Sequence, residues 1–253
     1  MKKSLLLFSI LMALFSGLNA QTTSTESKIK SFRMSTHSGY GFSWADLERK
    51  GNKLDNTVRF TVVINLGLDA QWQGEKCGLS VGLETRNLGL IYDDTLNGPN
   101  QTFRVKSRVY TLGVPVTFMF GKMSEKTYFF AGGEIEYTFD YKEKVFVDGD
   151  KEYKSKGYYD ENVTKWLPSL HAGIQIKSGT YLKFQYYMDD FFSDKYQFQY
   201  QKQNGPTQPY APFNKSQLYY LELGHRLFLD APAAPSPKSP QSRAKLRMQM
   251  AKL

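Results

Sequence analysis

The feature that most constrains this chain is a two-residue alternation of apolar and polar side chains, held over segments of about ten residues and lost between them. It is clearest from Val109 to Tyr141. Before Gly121, one face carries Tyr110, Leu112, Val114, Val116, Phe118 and Phe120. After Lys126, one face carries Phe129, Ala131, Gly133, Ile135, Tyr137 and Phe139, and the other Tyr128, Gly132, Glu134, Glu136, Thr138 and Asp140. Successive side chains of a strand point to opposite faces, so each arm predicts an amphipathic strand. A soluble sheet would bury the greasy face and wet the carboxylates. A membrane barrel turns the greasy face to lipid and the carboxylates to its lumen.

Six further segments alternate in the same way: Phe32 to Trp44, Val58 to Trp72, the stretch from Cys77, Trp166 to Lys177, Leu182 to Asp189 and Tyr219 to Phe228. In the third strand the phase slips around Asn87, where Leu88 and Leu90 fall on the formerly polar face, and a β-bulge is expected there. The connections run roughly twelve, four, eleven, six, twenty, three and twenty-five residues, so long and short alternate throughout. This predicts an all-β fold, an eight-stranded antiparallel up-and-down transmembrane β-barrel with short periplasmic turns and long extracellular loops. Trp44, Trp72 and Trp166 fall at strand ends, where interface aromatics belong.

The chain divides into four parts. Residues 1–20 read as a signal peptide, with Lys2-Lys3, an apolar run and Gly17-Leu18-Asn19-Ala20. Residues 21–30 are a flexible lead-in, 31–229 the barrel, and 230–253 an Ala/Pro-rich linker with a basic tail. The expected location is the outer membrane. The lone Cys77 cannot form an internal disulfide. Of the formal charge of +9, Lys2 and Lys3 carry two and the tail four, which leaves +3 for the rest. No nucleic-acid partner is implied.

Together with the leader and the eight phase-matched segments, Leu112-Gly113-Val114-Pro115-Val116 and Ala131-Gly132-Gly133 resemble the small outer-membrane β-barrel family of Bacteroidetes-type bacteria, PorT-like proteins included. More distantly the chain looks like the OmpA/OmpX-type barrels. The resemblance covers residues 31–229 and implies fold and location. Through its PorT-like members it also implies an accessory role in secretion or assembly. The family often ends on an aromatic residue, whereas here Phe228 is followed by a tail to Leu253.

On the polar face, a lumen charge network is expected from Arg59, Glu84, Arg86, Glu134, Glu136, His171, Lys183, Glu222 and Arg226, with His37, Asp69, Asp140 and Asp189 on the same face. An eight-stranded barrel is just wide enough for side chains to fill it, so these groups predict a plug rather than a pore. Ser169 and His171 share a face, but no nucleophile motif surrounds them, and no catalytic, cofactor or metal site is expected. The expected activity is that of a structural or interaction scaffold. Its partners would be outer-membrane lipid or lipopolysaccharide and a protein contacted through loops 142–163 and 191–214, and the chain would be monomeric. A soluble lipocalin-like ligand binder, greasy face inward, is the alternative.

Overall fold

The computed structural model describes residues 31–62, 65–95, 102–147, 149–196 and 213–229. The leader, the lead-in, the tail from 230, the Asn97–Asn100 turn signal and most of the 191–214 connection lie outside these residues. Among the described residues, the alternating segments become β1 (Ser31–Arg49), β2 (Asn52–Lys53), β3 (Asn56–Thr57), β4 (Arg59–Thr61), β5 (Leu66–Gln73) and β6 (Cys77–Thr95). There follow β7 (Thr102–Lys122), β8 (Thr127–Val147), β9 (Asp150–Tyr158), β10 (Trp166–Gln175), β11 (Thr180–Asp190) and β12 (Lys215–Leu229).

All pairings are antiparallel, and they close on themselves. β8 pairs with both β7 and β10, and β1 pairs with β12 from Met34↔Leu229 to Glu48↔Lys215. The ring therefore has eight strands, with β4 and β5 together forming the second. Between these two the register against β1 shifts from Gly41↔Thr61 to Ser38↔Leu66, two extra residues on the second strand. An even insertion preserves parity, so Val58, Phe60, Leu66 and Leu68 all stay on the outer face.

One end of the ring carries short turns. The β5–β6 turn is closed by the Gly74 amide donating to Cys77 (2.8 Å), and a single 3-10 turn, Met123–Glu125, joins β7 to β8. At Gly179 the backbone is left-handed (φ +91°), which a side chain would strain. The other end extends further. β1 and β2 form a hairpin around Lys50 and Gly51, and β8 and β9 form another around Gly149. Most of the segment expected as a polar loop at 142–163 is thus continued sheet, paired from Asp140↔Tyr158 to Val147↔Asp150.

The bulge expected at Asn87 is absent. β6 and β7 pair from Cys77↔Phe120 to Thr95↔Thr102 without a shift, so Glu84, Arg86, Leu88, Leu90 and Tyr92 all point inward. What changes at Leu88 is the chemistry of the interior. The bulge lies instead on β8, where Tyr110↔Asp140 is followed by Thr111↔Thr138 and Phe139 is the extra residue. One residue of slip reverses every later side chain. Above it Tyr141, Glu143 and Val145 face inward, and Lys142 and Lys144 face outward.

Candidate functional site

The interior is built in three layers. At the short-turn end Met119, Met123, Tyr128, Phe130 and Tyr181 form an apolar floor. At the long-connection end lies a larger apolar chamber made of Leu88, Leu90 and Tyr92 from β6, Val105 and Val109 from β7, and Tyr141 and Val145 from β8. Phe192, Tyr196 and Phe213 complete it, with the Phe192 and Phe213 rings stacked at 4.4 Å.

Between floor and chamber the inward positions are charged. Arg86 is the hub. Its guanidinium reaches Glu84 (Nη2 to Oε2, 2.5 Å), Glu134 (Nη2 to Oε2, 2.8 Å) and Glu136, and Glu222 lies 3.9 Å from its Nε. Lys183 from β11 lies 3.0 Å from Glu84 and 3.1 Å from Glu222, and so ties the two sides of the ring. Neutral donors take up carboxylate lone pairs that remain. The Tyr187 hydroxyl donates to Glu136 (2.7 Å), Thr111 to Glu136 (2.5 Å) and Tyr181 to Glu222 (2.5 Å). The Gln185 amide donates to both Glu136 and Ser169. Tyr220 covers the hub, its ring 5.7 Å from the Arg86 guanidinium carbon. A guanidinium with five donors in a planar fork suits a site where several carboxylates converge.

A second cluster lies toward the floor. Arg226 meets Asp69 (3.2 Å) and receives no carboxylate from the hub; its other Nη lies against Tyr128 and Gln175. His37 stands between the clusters, with Nδ1 3.0 Å from Asp69 and Nε2 3.5 Å from Glu84. Five carboxylates thus face three permanent cations, and His37 is placed to answer two of them when protonated. Glycines give these long side chains room. A Cβ on Gly113 would come 2.2 Å from a Glu134 oxygen, and one on Gly67 would strike the His37 ring at 2.1 Å.

Of the expected network, Glu84, Arg86, Glu134, Glu136, Lys183 and Glu222 converge, and Arg226 joins through Asp69 and His37. Two residues do not join. His171 faces the lumen but pairs with the Thr117 hydroxyl (Nε2 to Oγ1, 2.9 Å). Arg59 bonds the Asn87 carbonyl and side chain (3.1 and 2.6 Å), because β4 has parted from β6 and Arg59 bridges the gap. Ser169 and His171 bond away from each other, Ser169 to Gln185 and to the Glu134 carbonyl. The residues that sequence reasoning missed are the neutral ones, Tyr181, Gln185, Tyr187 and Thr111. They share the inward parity, but a reading confined to charges passes over them.

On the outside, the lower part of the ring exposes a continuous apolar belt that includes Phe120, Phe129, Ile135, Leu170, Leu182 and Leu223. Aromatics bound it. Trp44 stacks on Tyr219 (5.8 Å, 14°) and Trp166 packs on Tyr137 (4.7 Å) at the upper margin, while Trp72 packs on Phe32 (5.5 Å) at the lower.

No protein-family model matches the chain, and no curated protein matches it. Among solved structures it is similar to Ail, the attachment invasion locus protein of Yersinia pestis, at 12% identity, covering 78% of this chain and 97% of that one, with a TM-score of 0.32. Ail in complex with the heparin analogue sucrose octasulfate gives 13%, 78%, 97% and 0.31. Neisserial surface protein A gives 10%, 78%, 96% and 0.34. Likeness at this level bears on neither partner nor activity.

Proposed function

We propose that the chain is an outer-membrane β-barrel whose lumen is closed by side chains and which works as a scaffold through its long-connection end. The observation that carries this reading is the belt. On β7 it runs from Tyr110 to Phe120, ten residue steps or about 33 Å along the strand. At the strand tilt of about 40° that such rings require, this is about 25 Å of apolar height, the height of a bacterial outer-membrane barrel's lipid-facing band. A soluble ligand-binding barrel needs the reverse arrangement, with the charges of Arg86 and its neighbours outside and the belt within. Pairing of β1 with β12 leaves neither terminal strand of the ring as a free edge, which supports a monomer. The proposed role is without catalysis; Ser169 and His171, the pair considered for acyl-transfer chemistry, bond to other partners.

Heat-modifiable gel migration of the full chain in isolated outer membranes tests the proposal. The unheated protein is expected to run faster than the boiled one; recovery in the soluble periplasmic fraction would sink the reading. Planar bilayers test the plug, since a large, stable single-channel current is incompatible with a lumen floored, crossed and roofed by side chains.

A further inference from the structure

Above the belt, the outer face of β7, β8 and β9 carries cations in register. Arg108 lies opposite Lys142, which lies opposite Lys156. One step further from the belt, Lys106, Lys144 and Lys154 repeat the pattern. Directly opposed like charges destabilise a sheet, so folding gives no reason for two such rows. Among the described residues, carboxylates answer them only at the margins. Asp93 binds Arg104 (2.7 Å), beside the rows, and Asp140 lies 3.9 Å from Lys156. Glu152 stands at a β9 bulge and makes no ion pair among the described residues. Lys142, Lys144 and Lys154 have no ion-pair partner among the described residues. Slight desolvation and then the charges of Lys154, Arg108, Lys144 and Lys156 hold the Lys142 ammonium below its ordinary range.

The position of the rows is as informative as their charge. Arg108 precedes Tyr110, the first residue of the belt on β7, and Lys142 follows the bulge above Phe139, its last on β8. The Lys106 Nζ lies 4.6 Å from the centre of the Phe146 ring and the Lys156 Nζ 4.6 Å from that of Tyr158, so these two ammonium groups stand against aromatic faces on the outer surface. The opposite wall differs. There Lys215 and Lys53 both close on Asp46, at 2.5 and 3.8 Å. The charge is one-sided and at headgroup height.

Resting on the membrane reading above, we propose that these two rows bind the phosphate groups of lipopolysaccharide in the surrounding outer leaflet. The ligand is a fixed polyanion whose phosphates lie in the plane that the rows occupy. Its binding removes the repulsion that the register imposes.

The test uses the full chain in lipid nanodiscs, with heat-modifiable migration as the check on closure. The discs contain phosphatidylcholine with native or dephosphorylated lipopolysaccharide, and lipopolysaccharide retained per protein is measured as salt rises. Native lipopolysaccharide is expected to be retained over the dephosphorylated form, and the margin to shrink with salt. K142Q/K144Q/K154Q is expected to weaken retention about 100-fold at low salt, at roughly a factor of five per cation. K53Q/K215Q on the opposite wall is expected to leave it unchanged. Equal retention of the two lipopolysaccharides, or an unchanged triple variant, overturns the proposal. Tighter binding of heparin than of lipopolysaccharide to the same rows also overturns it, in favour of a soluble sulfated glycan. A chain that never shows heat-modifiable migration overturns the membrane reading and this proposal together.

Discussion

The two halves of this barrel are each other's inverse. Between the floor and Leu88 the ring is charged within and apolar without; above Leu88 the interior includes Leu88, Leu90, Val105 and Val145, and the outer face of β7 and β8 carries Lys106, Arg108, Lys142 and Lys144. The same two strands, β6 and β7, run through both halves with one unbroken register. Strand geometry therefore does not set which solvent a half faces. The choice of residue at each parity does. On the membrane reading proposed above, the lower half is built for a medium that cannot hydrogen-bond, so its charged groups are turned inward toward one another. The upper half follows the ordinary logic of a protein in water.

Substitutions that cross this boundary should show it. The largest effect is expected at the hub. Arg86→Ala leaves four glutamates buried around a vacated charge and should cost about 3–5 kcal/mol, read as a lower urea midpoint in detergent-refolded protein. A loss under about 1 kcal/mol would mean that the lower interior is solvated rather than joined. Next is the chamber, where Leu90→Ala removes a fully buried side chain and should cost about 2–5 kcal/mol by the same measurement. Third, Ile135→Arg, at mid-height on the belt, should cost about 2–4 kcal/mol in bilayers. Phe146→Arg, on the same strand above the boundary, should cost under about 1 kcal/mol. Equal costs at these two positions would erase the distinction between the halves.

The smallest effect concerns pH. Burial pushes the Glu143 carboxyl up, partly offset by hydroxyls donated from Tyr141 (2.6 Å) and Tyr196 (2.8 Å). The folded state therefore holds this proton more tightly than the unfolded state. The chamber should be most stable below the unfolded carboxyl value of about 4.5 and should lose stability as pH rises through the higher folded value. Within that window the slope is at most about 1.4 kcal/mol per pH unit. Hydrogen exchange of the β8–β9 hairpin measures this, and Glu143→Gln should flatten the profile.

Much of this was legible in the sequence. Parity identified the hub, because Glu84, Arg86, Glu134, Glu136, Lys183 and Glu222 lie on inward positions of strands that alternate without interruption. The alternation also located the tryptophans at the belt's margins. The chamber was harder for a definite reason. In one dimension, Leu88 and Leu90 on a polar face look the same whether the strand slips or the interior changes chemistry, and only the pairing with β7 separates the two. The hairpin of β8 and β9 was obscured by its lysines, which disfavour a strand on propensity and so read as loop. Arg59 shows a third limit: alternation names a face, but it cannot tell when the backbone leaves its neighbour.

The pairing of β1 with β12 has a consequence for how the molecule is made. The two strands that close the ring stand at opposite ends of the described residues, in register over Met34↔Leu229 to Glu48↔Lys215. No earlier strand can stand in for β12, so β1 keeps an open edge until the residues of β12 have been synthesised. A nascent sheet with two such edges and a greasy outer face is a template for misassembly. Closure of the ring therefore waits for β12, and on the membrane reading proposed above β1 would need shielding until then.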